Sequence, residues 1–168
     1  MKWGCIKCGV EIPQHTEYCS ECEDKQFTKI GGFLYLPLLG LFITALSHLV
    51  ASYESFKYLV DNFYHLFFDA KLFFIGTFTI SLVVFLAAAW VISVFLRKKK
   101  SLPKLYIGLM LLLIVLTALN TWMLSVLIPG IYIGSEELVP LLRLIISACI
   151  WIPYFLKSVR VKRTFINP

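Results

Sequence analysis

The chain has 168 residues, enough for one domain and a small additional module. Hydrophobic residues make up 59% of it and charged residues 15%, whereas soluble domains run at roughly 45–50% apolar and about 25% charged, so composition excludes an ordinary soluble protein and points to a membrane protein. The formal charge is +6, and where the positive side chains lie matters more than their sum.

The first predicted element is a polar module over residues 1–29. No secretory signal is expected there, because Cys5, Lys7, Glu11 and Gln14 interrupt the apolar run that such a signal needs. Cys5-x2-Cys8 and Cys19-x2-Cys22 are two knuckles separated by the stretch "GVEIPQHTEY". Two thiolates two residues apart reach one ion from a tight turn, and two such turns supply the four sulfurs that structural Zn²⁺ takes in a tetrahedron. Gly9 follows the second cysteine, where a positive φ lets the backbone curl around the metal. So short a module buries no useful core, and apparent binding energies of about 10–16 kcal/mol for structural zinc would serve as its folding energy. The alternatives are disulfides or a redox pair, and His15 reads as a surface residue. Lys2, Lys7, Lys25 and Lys29 are outweighed by Glu11, Glu17, Glu21, Glu23 and Asp24 even before the negative zinc–thiolate centre is added. Nucleic-acid binding needs a basic face and is not expected.

Four apolar segments follow, near Gly32–Tyr53, Leu72–Leu96, Leu105–Ile128 and Leu138–Leu156. Each is long enough for a helix to cross a bilayer core, which takes about 20 residues. The expected fold is thus all-α: a four-helix transmembrane bundle over 30–168 behind the small ribbon. Pro37 and Pro153 fall near helix ends, where bends are expected. Between the first two spans, "SFKYLVDNFYHLFFDA" carries Phe56, Leu59, Val60, Phe63 and Phe67 at helical spacing. It reads either as a short amphipathic helix lying on the outer face or as an extension of one of the two spans.

Charge sets the orientation. "RKKKSLPK" brings Arg97, Lys98, Lys99, Lys100 and Lys104 without an acid, and the tail brings Lys157, Arg160, Lys162 and Arg163, again without one. The other two loops are neutral or acidic. The positive-inside rule therefore places both termini in the cytoplasm. Cytoplasmic thiols are kept reduced, which favours zinc over disulfides. Trp151, Tyr154 and Tyr106 are expected at the inner headgroup level.

From residue 30 the chain resembles a bacterial inner-membrane family catalogued as domain of unknown function 2569. The matching pieces are "IGGFLYLPLLG" (Ile30 to Gly40), "LPKLY" (Leu102 to Tyr106) and "IPYFLKSVRVKRTF" (Ile152 to Phe165), with Tyr154, Ser158, Arg160, Val161, Lys162, Thr164 and Phe165 carrying the closing pattern. The resemblance implies a four-span bundle in the bacterial inner membrane and no particular activity. The front ribbon is similar to short zinc ribbons attached to many bacterial membrane proteins.

Polar residues inside spans are costly and mark candidate sites. His48, Thr79, Ser81, Asn120 and Arg143, with Thr77, are expected in the outer half of the bundle, where they can line a polar pocket. The competing reading has Arg143 snorkelling or pairing with Glu136, Glu137 or Asp69, and the hydroxyls bonding their own helices. Asn120 sits deepest, and its amide is expected to bond across helices. Cys149 reads as a small packing residue. Ala89 and Ser93 form a small-x3-small pair that can seat a neighbouring helix or a second copy, so a homo-oligomer is one possible state. Arg97, Lys98, Lys99, Lys100, Lys104, Arg160, Lys162 and Arg163 form a basic face that sets orientation and attracts anionic headgroups. "KSVRVKRTF" looks ordered, packing on the ribbon or on the 98–100 loop with lipid phosphate between.

No nucleophile–base pair, paired carboxylate or intramembrane ligand set is visible. The leading expectation is a non-enzymatic scaffold, regulatory or accessory protein whose ribbon docks a protein partner. The alternative is a small carrier or channel subunit using the polar pocket.

Overall fold

A computed structural model of the chain describes residues 3–14, 16–27, 30–128 and 134–167; His15 lies outside them. The ribbon begins with two short antiparallel strands, β1 (Trp3–Gly4) and β2 (Glu11–Ile12), paired Trp3 to Ile12 and Gly4 to Glu11. Helix α1 (Ser20–Phe27) follows. A 3₁₀ turn at Gly32–Leu34 leads into α2 (Tyr35–Asp61), then α3 (Phe68–Leu96), α4 (Leu102–Leu127), α5 (Ser135–Lys157) and the short α6 (Val159–Thr164). Helices α2 to α5 are each long and apolar enough to cross a membrane. At 1.5 Å per residue the shortest is about 35 Å and the longest about 43 Å, against a hydrocarbon core of about 30 Å.

The first span is longer than its apolar run. Helix α2 continues from Tyr53 to Asp61, so "SFKYLVD" is an extension and no separate helix lies flat on the surface. Aromatic contacts with α3 explain this: Phe56 meets Phe78 with centroids 5.6 Å apart, and Tyr58 meets Phe74 at 4.6 Å. Asn62 then ends the helix, its side-chain Nδ2 donating to the Tyr58 carbonyl at 3.1 Å and its own carbonyl accepting from His65 and Leu66.

Packing follows chain order, α2 on α3, α3 on α4, α4 on α5. Helix α3 carries the most buried stripe, Ser81, Val84, Ala88, Val91 and Phe95, at the alternating three- and four-residue spacing of a packed helix face. Ala88 rather than Ala89 seats the neighbour: Ala88 is fully buried and Ala89 is exposed, one position off the stripe. Cys149 is also exposed, so it faces outward and fills no gap in the bundle. Helices α2 and α5 do not pack closely along their length among the described residues.

The tightest core is at one end. Leu34, Phe95, Leu102, Phe155 and Val161 are almost wholly inaccessible there. Tyr106 belongs to this core: it is 2% exposed and stacks on Phe155 at 4.3 Å. Its ring turns inward because the facing Phe155 offers a flat apolar partner. The tail joins the same core. Val161, Thr164 and Phe165 are buried, and Phe165 meets Phe95 edge-on at 5.1 Å. Ser158 caps α6, its Oγ accepting from Val161 N–H. Asn167 stitches the tail to the α3–α4 loop: Lys100 N–H donates to its carbonyl at 2.8 Å, its own N–H to Lys98 O at 3.1 Å, and its Nδ2 to Arg97 O at 3.0 Å. The ribbon meets this end too, because α1 packs against α6. The ordered tail thus contacts both the ribbon and the basic loop.

Candidate metal centre and intramembrane cavity

The ribbon folds around sulfur. Cys5 N–H donates to Val10 O at 2.8 Å and Gly9 N–H to Cys5 O at 2.9 Å, closing the first knuckle, and Gly9 takes φ +73° as the turn demands. The second knuckle differs from the expected second tight turn. Cys19 precedes α1 and Cys22 lies in its first turn, because an i, i+3 spacing suits a helical turn equally well. The four Sγ atoms all lie within 4.8 Å of one another, and Cys8 and Cys19 sulfurs are 3.4 Å apart. A tetrahedral ion with metal–sulfur bonds of about 2.3 Å places its sulfurs about 3.8 Å apart, so Cys5, Cys8, Cys19 and Cys22 can hold a metal ion with little movement. Electrostatics agree. Hydrogen bonding from the Cys19 backbone holds the Cys5 thiol down to about 6, whereas the crowding Cys19 and Cys8 sulfurs push Cys22 up to about 12. A cation among the four sulfurs would favour the thiolate forms and displace the remaining protons.

The second feature is a cavity of about 540 Å³ walled by all four long helices. Four of the five anticipated pocket residues, His48, Ser81, Asn120 and Arg143, line it. Thr79 does not. It is exposed and its hydroxyl donates to Ile75 O at 2.8 Å. The reason is helical phase, since Thr79 is two residues from both Thr77 and Ser81 and so points about opposite to them. Thr77, Thr44, Ser47 and Thr117 also line the cavity. The signal for the last three was present in the spacing: Thr44, Ser47, His48 and Ala51 fall at i, i+3, i+4, i+7, and Thr117 precedes Asn120 by three.

Thr77 Oγ1 donates to Asn120 Oδ1 at 2.8 Å, a bond from α3 to α4 that leaves the Asn120 NH₂ as the group it offers the cavity. His48 stands midway along α2, deeper than the apolar run suggested, and its Nδ1 is buried without a hydrogen-bond partner among the described residues. Arg143 is the eighth residue beyond Ser135, about 12 Å along α5. It is exposed at the rim and forms no ion pair among the described residues. Glu137 is otherwise engaged, its Oε2 accepting from the Gly134 N–H at 2.8 Å as a helix cap. A smaller cavity of about 100 Å³ shares Thr44, Leu113 and Leu144 with the first and runs toward Trp151 between α2 and α5.

Of the basic residues, Arg97 to Lys100 form the α3–α4 loop, Lys104 lies in the first turn of α4, and Lys162 and Arg163 in the last turn of α6. Arg160 turns inward: its Nε is buried and has no hydrogen-bond partner among the described residues, and its guanidinium lies against Gly32, where an added Cβ would sit 2.7 Å from Nη1.

Fold and sites together define a multi-pass membrane protein with a four-cysteine module that could hold a metal ion at the end of a four-helix bundle. A profile of the family described as "Protein of unknown function (DUF2569)" matches residues 27–166, and the chain belongs to that family. It is similar to "Inner membrane protein YdgK" of Escherichia coli (strain K12), with 29% identity over 149 residues that cover 83% of this chain and 95% of that protein. No solved structure matches the chain. The four cysteines precede the region matched by the family profile.

Proposed function

We propose that the chain is a non-enzymatic module of the bacterial inner membrane, with both termini in the cytoplasm and a Zn²⁺-stabilised ribbon that docks a partner and regulates the bundle beneath it. The observation that supports this most is the seating of the ribbon: α1 rests on α6, and α6 is locked to the α3–α4 loop through Asn167. Basic side chains crowd that same end, which the positive-inside rule places in a reducing compartment. Zinc suits four thiolates at tetrahedral spacing. Ile6 and Val10 stay exposed beside the first knuckle, giving the ribbon an apolar footprint for a protein surface. Among the described residues the cavity wall carries neither carboxylate nor cysteine.

Reporter fusions at each terminus test the topology, and periplasmic phosphatase activity from either fusion overturns it. A photo-cross-linker at Ile6, compared with one at the lipid-facing Leu46, tests docking. A discrete adduct confined to Ile6 and lost with the metal is expected. Identical adduct patterns at both positions would leave the docking role without support.

A second reading, that the bundle carries or admits a small solute, is favoured by the convergence of His48, Ser81, Asn120 and Arg143 on one cavity. Solute flux through liposomes containing the protein is the measurement that bears on it.

A further inference from the structure

We infer that the cavity is a binding site for a singly charged anionic amphiphile, a carboxylate or phosphate head on an apolar tail. The inference rests on the second reading only in taking the cavity to be a ligand site. Charge comes first. Arg143 brings a full charge to the cavity, and among the described residues no acidic side chain lines the wall. An arginine this far along a spanning helix normally faces a water-filled or protein-lined interior and has a counter-ion there. Glu137 is held by its cap on Gly134, and Arg143 forms no ion pair among the described residues. His48 is an independent pointer. Its buried Nδ1 has no partner among the described residues, although buried polar atoms are nearly always satisfied. The Asn120 amide and the Ser81 hydroxyl add neutral groups to the same wall, enough to hydrogen-bond a small oxyanion from several sides.

The rest of the wall decides the tail. Ile43, Ile80, Val84 and Leu116 leave most of the surface apolar, which does not suit a sugar or a multiply charged metabolite. The smaller cavity continues from Thr44, Leu113 and Leu144 to Leu41, Met110 and Trp151, a narrow apolar slot leading away from the charged rim. A cation is disfavoured by Arg143, and a neutral molecule leaves Arg143 uncompensated. Because α2 and α5 do not close on each other, such a ligand can enter sideways from the bilayer or from water at the rim. A lipid headgroup and a free amphiphilic acid share this chemistry.

Trp151 provides the reporter. Full-length protein with Trp3, Trp90 and Trp122 changed to Phe is placed in phosphatidylcholine nanodiscs and titrated with terminally brominated undecanoate or the corresponding brominated undecanol. Saturable quenching of Trp151 by the acid is expected. Arg143→Met should weaken it by about fivefold, as for a charge pair at an exposed rim. Arg143→Lys, which keeps the charge, should retain saturable quenching and so separates loss of charge from loss of fold. The alcohol should respond equally in wild type and Arg143→Met. Competition from phosphatidylglycerol added to the discs would identify a lipid headgroup as the source, and lack of competition a free acid. Equal quenching by acid and alcohol, or an Arg143→Met titration unchanged from wild type, overturns the site. An acid that binds but does not cross liposomes overturns the carrier reading alone.

Discussion

Removing one zinc-site thiolate should unfold the ribbon and leave the bundle standing. The ribbon has little else to hold it. Its sheet is two residue pairs, below the size at which a hairpin is stable alone. Helix α1 has 8 residues, too few to persist in water by itself. Among its described side chains only Cys5 is buried. A bound metal would therefore be the principal stabiliser, at about 10–16 kcal/mol shared over four sulfurs. Cys22→Ser should cost about 3 kcal/mol of that, roughly a hundredfold in metal affinity. The assay is metal per chain by mass spectrometry after dialysis, paired with limited proteolysis. Wild type should retain one zinc and a protected N-terminus. Cys22→Ser should lose both, while the 30–168 fragment survives the protease unchanged. Full metal retention by Cys22→Ser, or a metal-stripped ribbon as protease-resistant as the loaded one, would refute the reasoning.

Acidity should act in the same direction. Cys22, pushed up to about 12, keeps its proton at neutral pH, so an incoming ion must expel it and affinity should rise with pH by about tenfold per unit for each proton released; zinc titrations between mildly acidic and neutral buffers measure this. Asn120→Ala should lower bundle stability by about 1 kcal/mol through loss of the Thr77 bond, and Thr79→Val should change it by less than about 0.5 kcal/mol, both read from unfolding in mixed detergent. Gly32→Ala places a side chain at φ +59° and against Arg160. It should cost about 1–2 kcal/mol from the backbone alone, and hydrogen exchange at α6 should quicken as Arg160 is displaced.

The features easiest to read from the sequence were those with a strict period or spacing. Cys-x2-Cys pairs and long apolar runs mean nearly one thing each, so the ribbon and the four spans were legible. Features set by a partner elsewhere in the chain were not. The extra turns of α2 exist because Phe56 and Tyr58 find Phe78 and Phe74, and no window on α2 alone contains that information. The inward turn of the Tyr106 ring likewise depends on Phe155, a partner far away in the chain. The end of α3 is a Schellman turn, with Lys99 N–H reaching Val94 O and Lys98 N–H reaching Phe95 O. Lys98 takes φ 51° where glycine is the usual residue, so the customary sequence mark of a helix end is missing. The cavity was half legible. Its polar residues announced themselves by cost, but residue type could not separate Thr79 from Thr77, which only helical phase does.

The tight core, the ribbon and the cavity are arranged so that one bears on another. Helices α2 and α5 are the two walls that do not pack together. At the basic end they are linked indirectly: α6 follows α5 at once, and its Arg160 lies on Gly32, just ahead of α2. Helix α1 presses on α6 from the ribbon side. Spacing between the cavity walls therefore depends on a contact that the metal module supports. Spin labels at Leu46 on α2 and Ile145 on α5, both exposed, measure that spacing. Stripping the metal should broaden the distance distribution, and Gly32→Ala should do the same with the metal still bound. If the distribution is unchanged by either treatment, α2 on α3 and α5 on α4 are sufficient to hold the walls, and the ribbon has no mechanical hold on the cavity.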